Sequence, residues 1–255
     1  MEHFTLNTNF SLLTGAETHD WIQSFPRMVT EAFAGSNDRT RLLGNLLVLE
    51  QYVRTLQQGM SEECRDVSDV LKHALDLLWE YLEGHTNLMD FEEFANNLNA
   101  CVLAYNTGES LTDTQEDFFK THFPDGSLAD EWLALEWCAI LLMTLVINEG
   151  GRVDFEDCPE KAPIVFYGLA ELLTLLEDAC IELTDTPKLS DRAVDLQKAC
   201  SLVHQTPLFR QIVKNIQNSL KTALTAEPGQ FAALREEYRN NTILPKEYAA
   251  DLLKY

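Results

Sequence analysis

Apolar residues recur at three- and four-residue steps along most of this chain, and the two-residue alternation of a half-buried strand is nearly absent. From Asp38, read as an N-cap before Arg39, the positions Leu42, Leu43, Leu46, Leu47, Leu49, Tyr52, Val53 and Leu56 trace a helix that Gly59 stops. Ser61 opens the next, with Glu62 and Glu63 at its positive end and a stripe of Val67, Val70, Leu71, Ala74, Leu75, Leu78 and Leu82 closed by Gly84. Asp90, with Glu93 as capping-box partner, starts a helix through Phe91, Phe94, Leu98, Cys101, Val102 and Tyr105, and Gly108 ends it. A shorter acidic helix starts at Thr112 or Asp113 and runs to His122, before Pro124 and Gly126 break the chain.

Ser127 caps the most hydrophobic segment, 128–148, where Trp132, Leu135, Cys138, Ala139, Leu141, Leu142, Leu145 and Val146 cover most of the circumference. A helix apolar all round belongs at the centre of a fold. Residues 151–163, rich in turn formers, form the one long connection and mark a subdomain boundary within a single helical domain spanning 1–255. Beyond it the pattern predicts helices over 164–183, 191–204, 208–225 from Pro207, 228–238 from Pro228, and a last short one from Pro245 to Lys254. The expectation is an all-α fold of nine to eleven helices, as an orthogonal or layered bundle or as stacked helical hairpins. No fixed period with matching Gly, Pro or Trp positions supports a true solenoid.

Composition agrees. At 255 residues with 45% hydrophobic content the chain can bury a core, and eleven Gly with eight Pro suit helices better than a turn-rich sandwich. The start lacks the basic and apolar regions of a secretory signal, and the longest apolar run, Trp137 to Ile147, is too short to span a bilayer. A soluble, unexported, cytoplasmic protein is the expectation. The six cysteines, at 64, 101, 138, 158, 180 and 200, never form a CxxC pair, and several lie inside apolar helical patterns, as buried reduced thiols do.

Charge changes the picture most. The chain carries a formal net charge of -22, and between His73 and Gly151 fifteen carboxylates face one basic residue, Lys120. Such a field attracts cationic partners and repels nucleic acid and anionic membrane. Between Leu196 and Ala226, by contrast, Lys198, Arg210, Lys214 and Lys221 are unopposed, and the last three share a helix face. That face reads as ordinary solvated surface or as a counterpart to acidic residues of the same fold or a second copy.

Catalytic motifs are scarce. There is no P-loop, GxGxxG, GxSxG, DDxxD or HExxH. Asp69, His73, Asp76 and Glu80 share one helix face at ligand-like spacing, but they are what remains once the apolar stripe is assigned, so solvent exposure is the expectation over a metal site. His19-Asp20 has the form of a phosphohydrolase dyad without the helix that must carry its first ligand. No cofactor and no metal are expected.

The segments Leu75-Asp-Leu-Leu-Trp-Glu-Tyr-Leu, Phe91-Glu-Glu-Phe and Asn99-Ala-Cys-Val-Leu-Ala, within residues 70–105, resemble small all-helical bacterial immunity proteins of polymorphic-toxin and contact-dependent systems. The resemblance brings no catalytic residues. It implies a cognate toxin, often a cationic nuclease, bound stoichiometrically. The charge argument independently places a basic partner on Asp76, Glu80, Glu83, Glu109, Asp113, Glu116, Asp117, Asp125, Asp130 and Glu131, with Phe118 and Phe119 at the centre of the contact. Aromatics beside carboxylates suit an interface core within a charged rim, although at least one of the two rings is expected to pack inward. Two other classes stay open: a helical enzyme or ligand-binding protein with a pocket near His73, His122 or His204, and an acidic adaptor or nucleic-acid mimic.

Overall fold

A computed structural model describes residues 15–59, 65–86, 91–123, 132–150, 164–183 and 202–245. Among them the chain forms nine α-helices and no strand: α1 (Gly15–Ala32), α2 (Asp38–Gly59), α3 (Arg65–Glu83), α4 (Glu92–Thr107), α5 (Asp113–His122), α6 (Trp132–Gly150), α7 (Leu169–Leu183), α8 (Pro207–Thr225) and α9 (Phe231–Tyr238). A single 3-10 turn, Pro228–Gln230, leads into α9. The all-α bundle expected from the periodicity is what the chain adopts. The connection at 151–163, the proposed helix over 191–204 for most of its length, and the terminal helix after Pro245 fall largely outside the described residues. No helix among the described residues is long and apolar enough to cross a membrane.

The centre of the fold is α2. Every residue from Leu42 to Val53 is buried, because α2 packs against α3, α6, α8 and α9 at once. The segment 128–148 was the expected centre, and its helix α6 is indeed buried along most of its length, between α4, α3 and α2. The difference lies in the polar residues of α2. Asn45, Glu50 and Gln51 lie between the apolar positions of this helix, and all three are buried. Each is satisfied. Asn45 Oδ1 accepts from the Trp137 indole at 3.0 Å. Gln51 Nε2 donates to Ser219 Oγ of α8 at 2.7 Å and to the Leu47 carbonyl at 2.8 Å. Glu50 accepts from Arg54 and from the Trp79 indole. A buried polar group costs little only when its hydrogen bonds are made, so these contacts fix which neighbour packs where.

Several helix boundaries are legible and a few move. Gly108 takes φ 72° and closes α4, and Gly84 takes φ 80° just after α3; both are left-handed positions that glycine occupies without strain. The α2 cap is Asn37, whose Oδ1 accepts from Thr40 N at 2.9 Å, one residue ahead of Asp38. Helix α4 begins at Glu92 with Phe91 as its cap and no side-chain bond there, while Asp90 lies outside the described residues. Helix α1 has no counterpart among the helices read from the pattern. Pro26 lies inside it and interrupts its backbone ladder, but Trp21, Ile22, Phe25 and Val29 are buried on one face and hold it against α7. On α1 Asp20 is exposed, and the His19 side chain lies outside the described residues. Buried side chains from Trp21 to Leu244 form one continuous core.

Candidate functional site

The acidic region is best built helix by helix. Thr112 caps α5 in an extended conformation, and the Gln115 side chain returns a bond to the Thr112 amide at 2.9 Å, completing a capping box. Asp113 and Glu116 then occupy the first turn and Lys120 and His122 the last, each sign at the end of the helix dipole that favours it. Asp113, Glu116 and Asp117 are exposed, as is Glu109 in the preceding loop. Glu116 is bonded to Lys120 at 2.7 Å, which lowers its pKa below the usual carboxylate value and raises that of the lysine. Glu109, Asp113 and Asp117 form no salt bridge among the described residues.

Beneath this face runs a ladder of rings. His73 of α3 meets Phe94 of α4 edge-on with centroids 4.7 Å apart, Phe94 meets Phe118 of α5 at 5.7 Å, and Phe118 meets His122 at 4.4 Å. Phe119 turns the other way, onto Phe123 at 5.4 Å. Both Phe118 and Phe119 are half-buried against the core, so they anchor α5 and do not stand out as free contact residues. No residue of α5 is fully buried, and these rings lie where the helix meets α3 and α4.

His122 has its pKa lowered from the usual 6.5, first by burial and then by the neighbouring His73 charge. The unfolded chain therefore takes up this proton more readily than the folded one, and stability contributed here rises with pH in the window below 6.5 and falls on acidification. Amide exchange within 113–122, corrected for its intrinsic pH dependence, should be faster at low pH than at neutrality while α2 is unchanged. His122→Phe should abolish the difference; if it persists, the ring ladder does not set the stability of α5.

The α3 carboxylates behave differently from those of α5. Asp76 accepts from Arg235 Nη2 of α9 at 2.9 Å and from Arg239, the residue that caps the end of α9, and Glu83 accepts from Arg235 Nη1 at 3.4 Å and lies 3.3 Å from His85 Nδ1. Glu80 accepts from Thr86 at 3.1 Å. Asp76 and Glu83 are thus spent inside the fold, on arginines C-terminal to the basic stretch at 196–226. In that stretch Arg210, Lys214 and Lys221 are exposed on α8, and Lys198 lies outside the described residues. So do Asp125, Asp130 and Glu131. The expected acidic surface reduces, among the described residues, to Glu109 and α5.

Asp69, His73, Asp76 and Glu80 do not converge: Asp69 is exposed, His73 lies on Phe94, and Asp76 and Glu80 are otherwise bonded. No group of three His, Cys, Asp or Glu among the described residues is arranged to hold a metal ion. His204 is fully buried, bonded through Nε2 to Glu177 of α7 and stacked on Phe209 of α8 at 4.3 Å. It joins two helices. Burial raises the thiol pKa of Cys101 to about 11 and of Cys180 to about 12, and of Cys138 further still, so these three are unreactive packing residues.

Two clefts exist. One of about 370 Å³ is lined by residues including Asn37, Arg39, Tyr81 and Asn148; another, of about 400 Å³ between α1 and α7, is lined by Gln23, Glu171, Thr174, Leu175 and Asp178. Neither contains His73, His122 or His204. A separate polar cluster, which the sequence pattern did not single out, lies where α4 ends against α6. Glu136 is buried, accepts from Asn106 Nδ2 at 3.2 Å, and faces the Tyr167 hydroxyl. Its signal in the sequence is a lone carboxylate within the apolar run of α6.

No family model matches this chain, and neither a curated protein nor a solved structure does.

Proposed function

We propose that this protein is a binding protein that docks a basic protein on the exposed carboxylates of α5 and the loop before it. In the fuller form suggested by the immunity-protein resemblance, the partner is a cationic, nuclease-type toxin blocked stoichiometrically. One observation carries this reading: Glu109, Asp113 and Asp117 stand exposed without an ion pair among the described residues, on a helix anchored from below by its own rings. Unneutralised carboxylates held in one place produce a field that accelerates encounter with a cationic surface. Carboxylates that stabilise the fold look like Asp76 and Glu83, each paired with an arginine.

The test is affinity capture with the wild-type chain and with the triple reversal Glu109→Lys, Asp113→Lys and Asp117→Lys, followed by association kinetics on the captured protein. A basic partner is expected, its association slowing steeply with added salt, and the reversal should slow it by about tenfold or more. A neutral or acidic partner, or one that binds the reversed chain equally fast, overturns the reading. Displacement of a DNA-binding protein from duplex by the wild-type chain would assign the surface to nucleic-acid mimicry instead.

A further inference from the structure

The cleft bordered by α2, α3 and α6 has two kinds of lining. Its buried part is mostly apolar: Leu145 of α6 and Ile164, with the half-buried Tyr81 of α3 beside them. Tyr81 is held by its edge-on contact with Phe91, ring centroids 6.2 Å apart. One amide, the Asn148 side chain, is buried within the same lining. At about 370 Å³ the space has the size of a small-ligand site, and an apolar body with few polar groups is the usual composition of one.

The exposed part of the lining is charged and comes from consecutive residues, Asn37, Asp38 and Arg39. These are the cap and first turn of α2, whose positive end favours an anion beside it. Arg39 forms no ion pair among the described residues. Asp38 is bridged to Arg41 at 3.7 Å, but Arg41 also donates to the Phe33 and Ala34 carbonyls, and the Asp38 side chain stays 49% exposed. A guanidinium and a carboxylate thus stand on adjacent residues beside an apolar space, each with bonds to offer. A simple carboxylate would leave Asp38 unmatched and would meet the field of a chain with net charge -22. A simple amine would leave Arg39 unmatched. A molecule carrying both charges on adjacent groups, with an apolar tail, satisfies every part of the lining.

We propose that this cleft binds a free amino acid with an apolar side chain. Its carboxylate bonds Arg39 at the positive end of α2, its ammonium bonds Asp38, and its side chain lies on Leu145, Ile164 and the Tyr81 ring. Charge-assisted bonds of this kind orient the ligand, and burial of its side chain supplies affinity. The cleft shares no residue with α5 or the loop before it, so the site does not rest on the docking proposal.

The test is titration of the nitrogen-15-labelled full chain with L-leucine, L-methionine and L-phenylalanine. At least one should shift the amide signals of the first turn of α2 together with those of Tyr81, Leu145, Asn148 and Ile164. Isoamylamine, which is leucine without its carboxylate, and isocaproate, which is leucine without its ammonium, should each bind about tenfold more weakly than leucine or worse. Glycine keeps both charges and lacks the tail, and should lose about tenfold or more. Arg39→Gln and Asp38→Asn change exposed side chains, so the unliganded spectrum should be altered only near the substitution while affinity for the best ligand falls about tenfold. No shift with any of the three amino acids up to their solubility limits, shifts confined to other parts of the fold, equal binding by isoamylamine, isocaproate or glycine, or full affinity in Arg39→Gln each overturns the site.

Discussion

Gly168→Ala should be among the most damaging single-methyl changes this chain can suffer. A Cβ at residue 168 would lie 2.3 Å from Trp137 Cε3, 2.5 Å from Cδ2 and 2.9 Å from Cζ3. Separations below 3 Å require something to move, and Trp137 has nowhere to go. It is fully buried, and its indole N–H is bonded to Asn45 Oδ1 in the middle of α2. Asn45 is held in turn by its own bond to the Arg41 carbonyl at 2.9 Å. Relief therefore demands either displacement of the indole, orphaning Asn45 Oδ1, or withdrawal of residues 164–168, which carry buried Ile164 and Phe166. Overpacking of this kind costs about 3 kcal/mol, and for a chain of this size that is a fall in Tm of roughly 6–12 °C. Gly44→Ala makes an instructive comparison. Its Cβ would meet Phe166 Cε1 at 3.0 Å and Phe33 Cε1 at 3.2 Å, ring edges that can yield by a few tenths of an ångström, so a smaller loss is expected. Thermal unfolding of the two variants ranks them, and an equal or reversed order would show that the 164–168 segment adapts freely.

The same residues explain why one boundary could not be seen in the sequence. The apolar pattern runs from Ile164 to Leu183 without interruption, yet the helix begins only at Leu169, where Gly168 closely approaches the Trp137 ring and Phe166 packs beside Gly44 of α2. Close approach of two segments distant in sequence leaves no periodic trace. Helix α5, in contrast, was legible almost to the residue. Thr112, the carboxylates of its first turn and Pro124 beyond its end are local signals, and local physics sets that helix.

The candidate site divides along the same line. Exposure of Glu109, Asp113, Glu116 and Asp117 follows from a helix that buries only a few rings. The fate of Asp76 and Glu83 did not follow from their own helix, where they occupy the polar side of an amphipathic stripe. It depends on Arg235 of α9 and Arg239 just past its end, four residues apart and more than 150 positions away. Their spacing is itself a weak signal, since two arginines one turn apart at the end of a short helix present a single cationic edge. Glu136 and Glu50 share another signal, a single carboxylate surrounded by apolar positions, which amphipathic bookkeeping assigns to solvent by default.

Glu50→Ala should destabilise the fold by about 3–5 kcal/mol, the range for removing one member of a buried ion pair. Glu50 is fully buried; its Oε1 accepts from Arg54 Nη2 at 2.8 Å and Nε at 3.1 Å, and its Oε2 from the Trp79 indole at 3.0 Å. Alanine would strand the Trp79 donor in the core and leave Arg54, only 21% exposed, bonded chiefly to Gln57 at 2.6 Å. Glu50→Gln retains one acceptor and should cost markedly less. The decisive comparison is the double variant Glu50→Met and Arg54→Leu. If the pair serves mainly to place Trp79 and α3 against α2, its joint replacement by apolar side chains should recover most of the loss, since two desolvated charges gain little over good packing. The recovery would be incomplete by about 1–2 kcal/mol, the residual cost of the unbonded Trp79 N–H. Chemical denaturation of the single and double variants measures each quantity. Additive losses in the double variant would mean that Glu50 and Arg54 act independently, and that Glu50 earns its place at the centre of the fold through Trp79 alone.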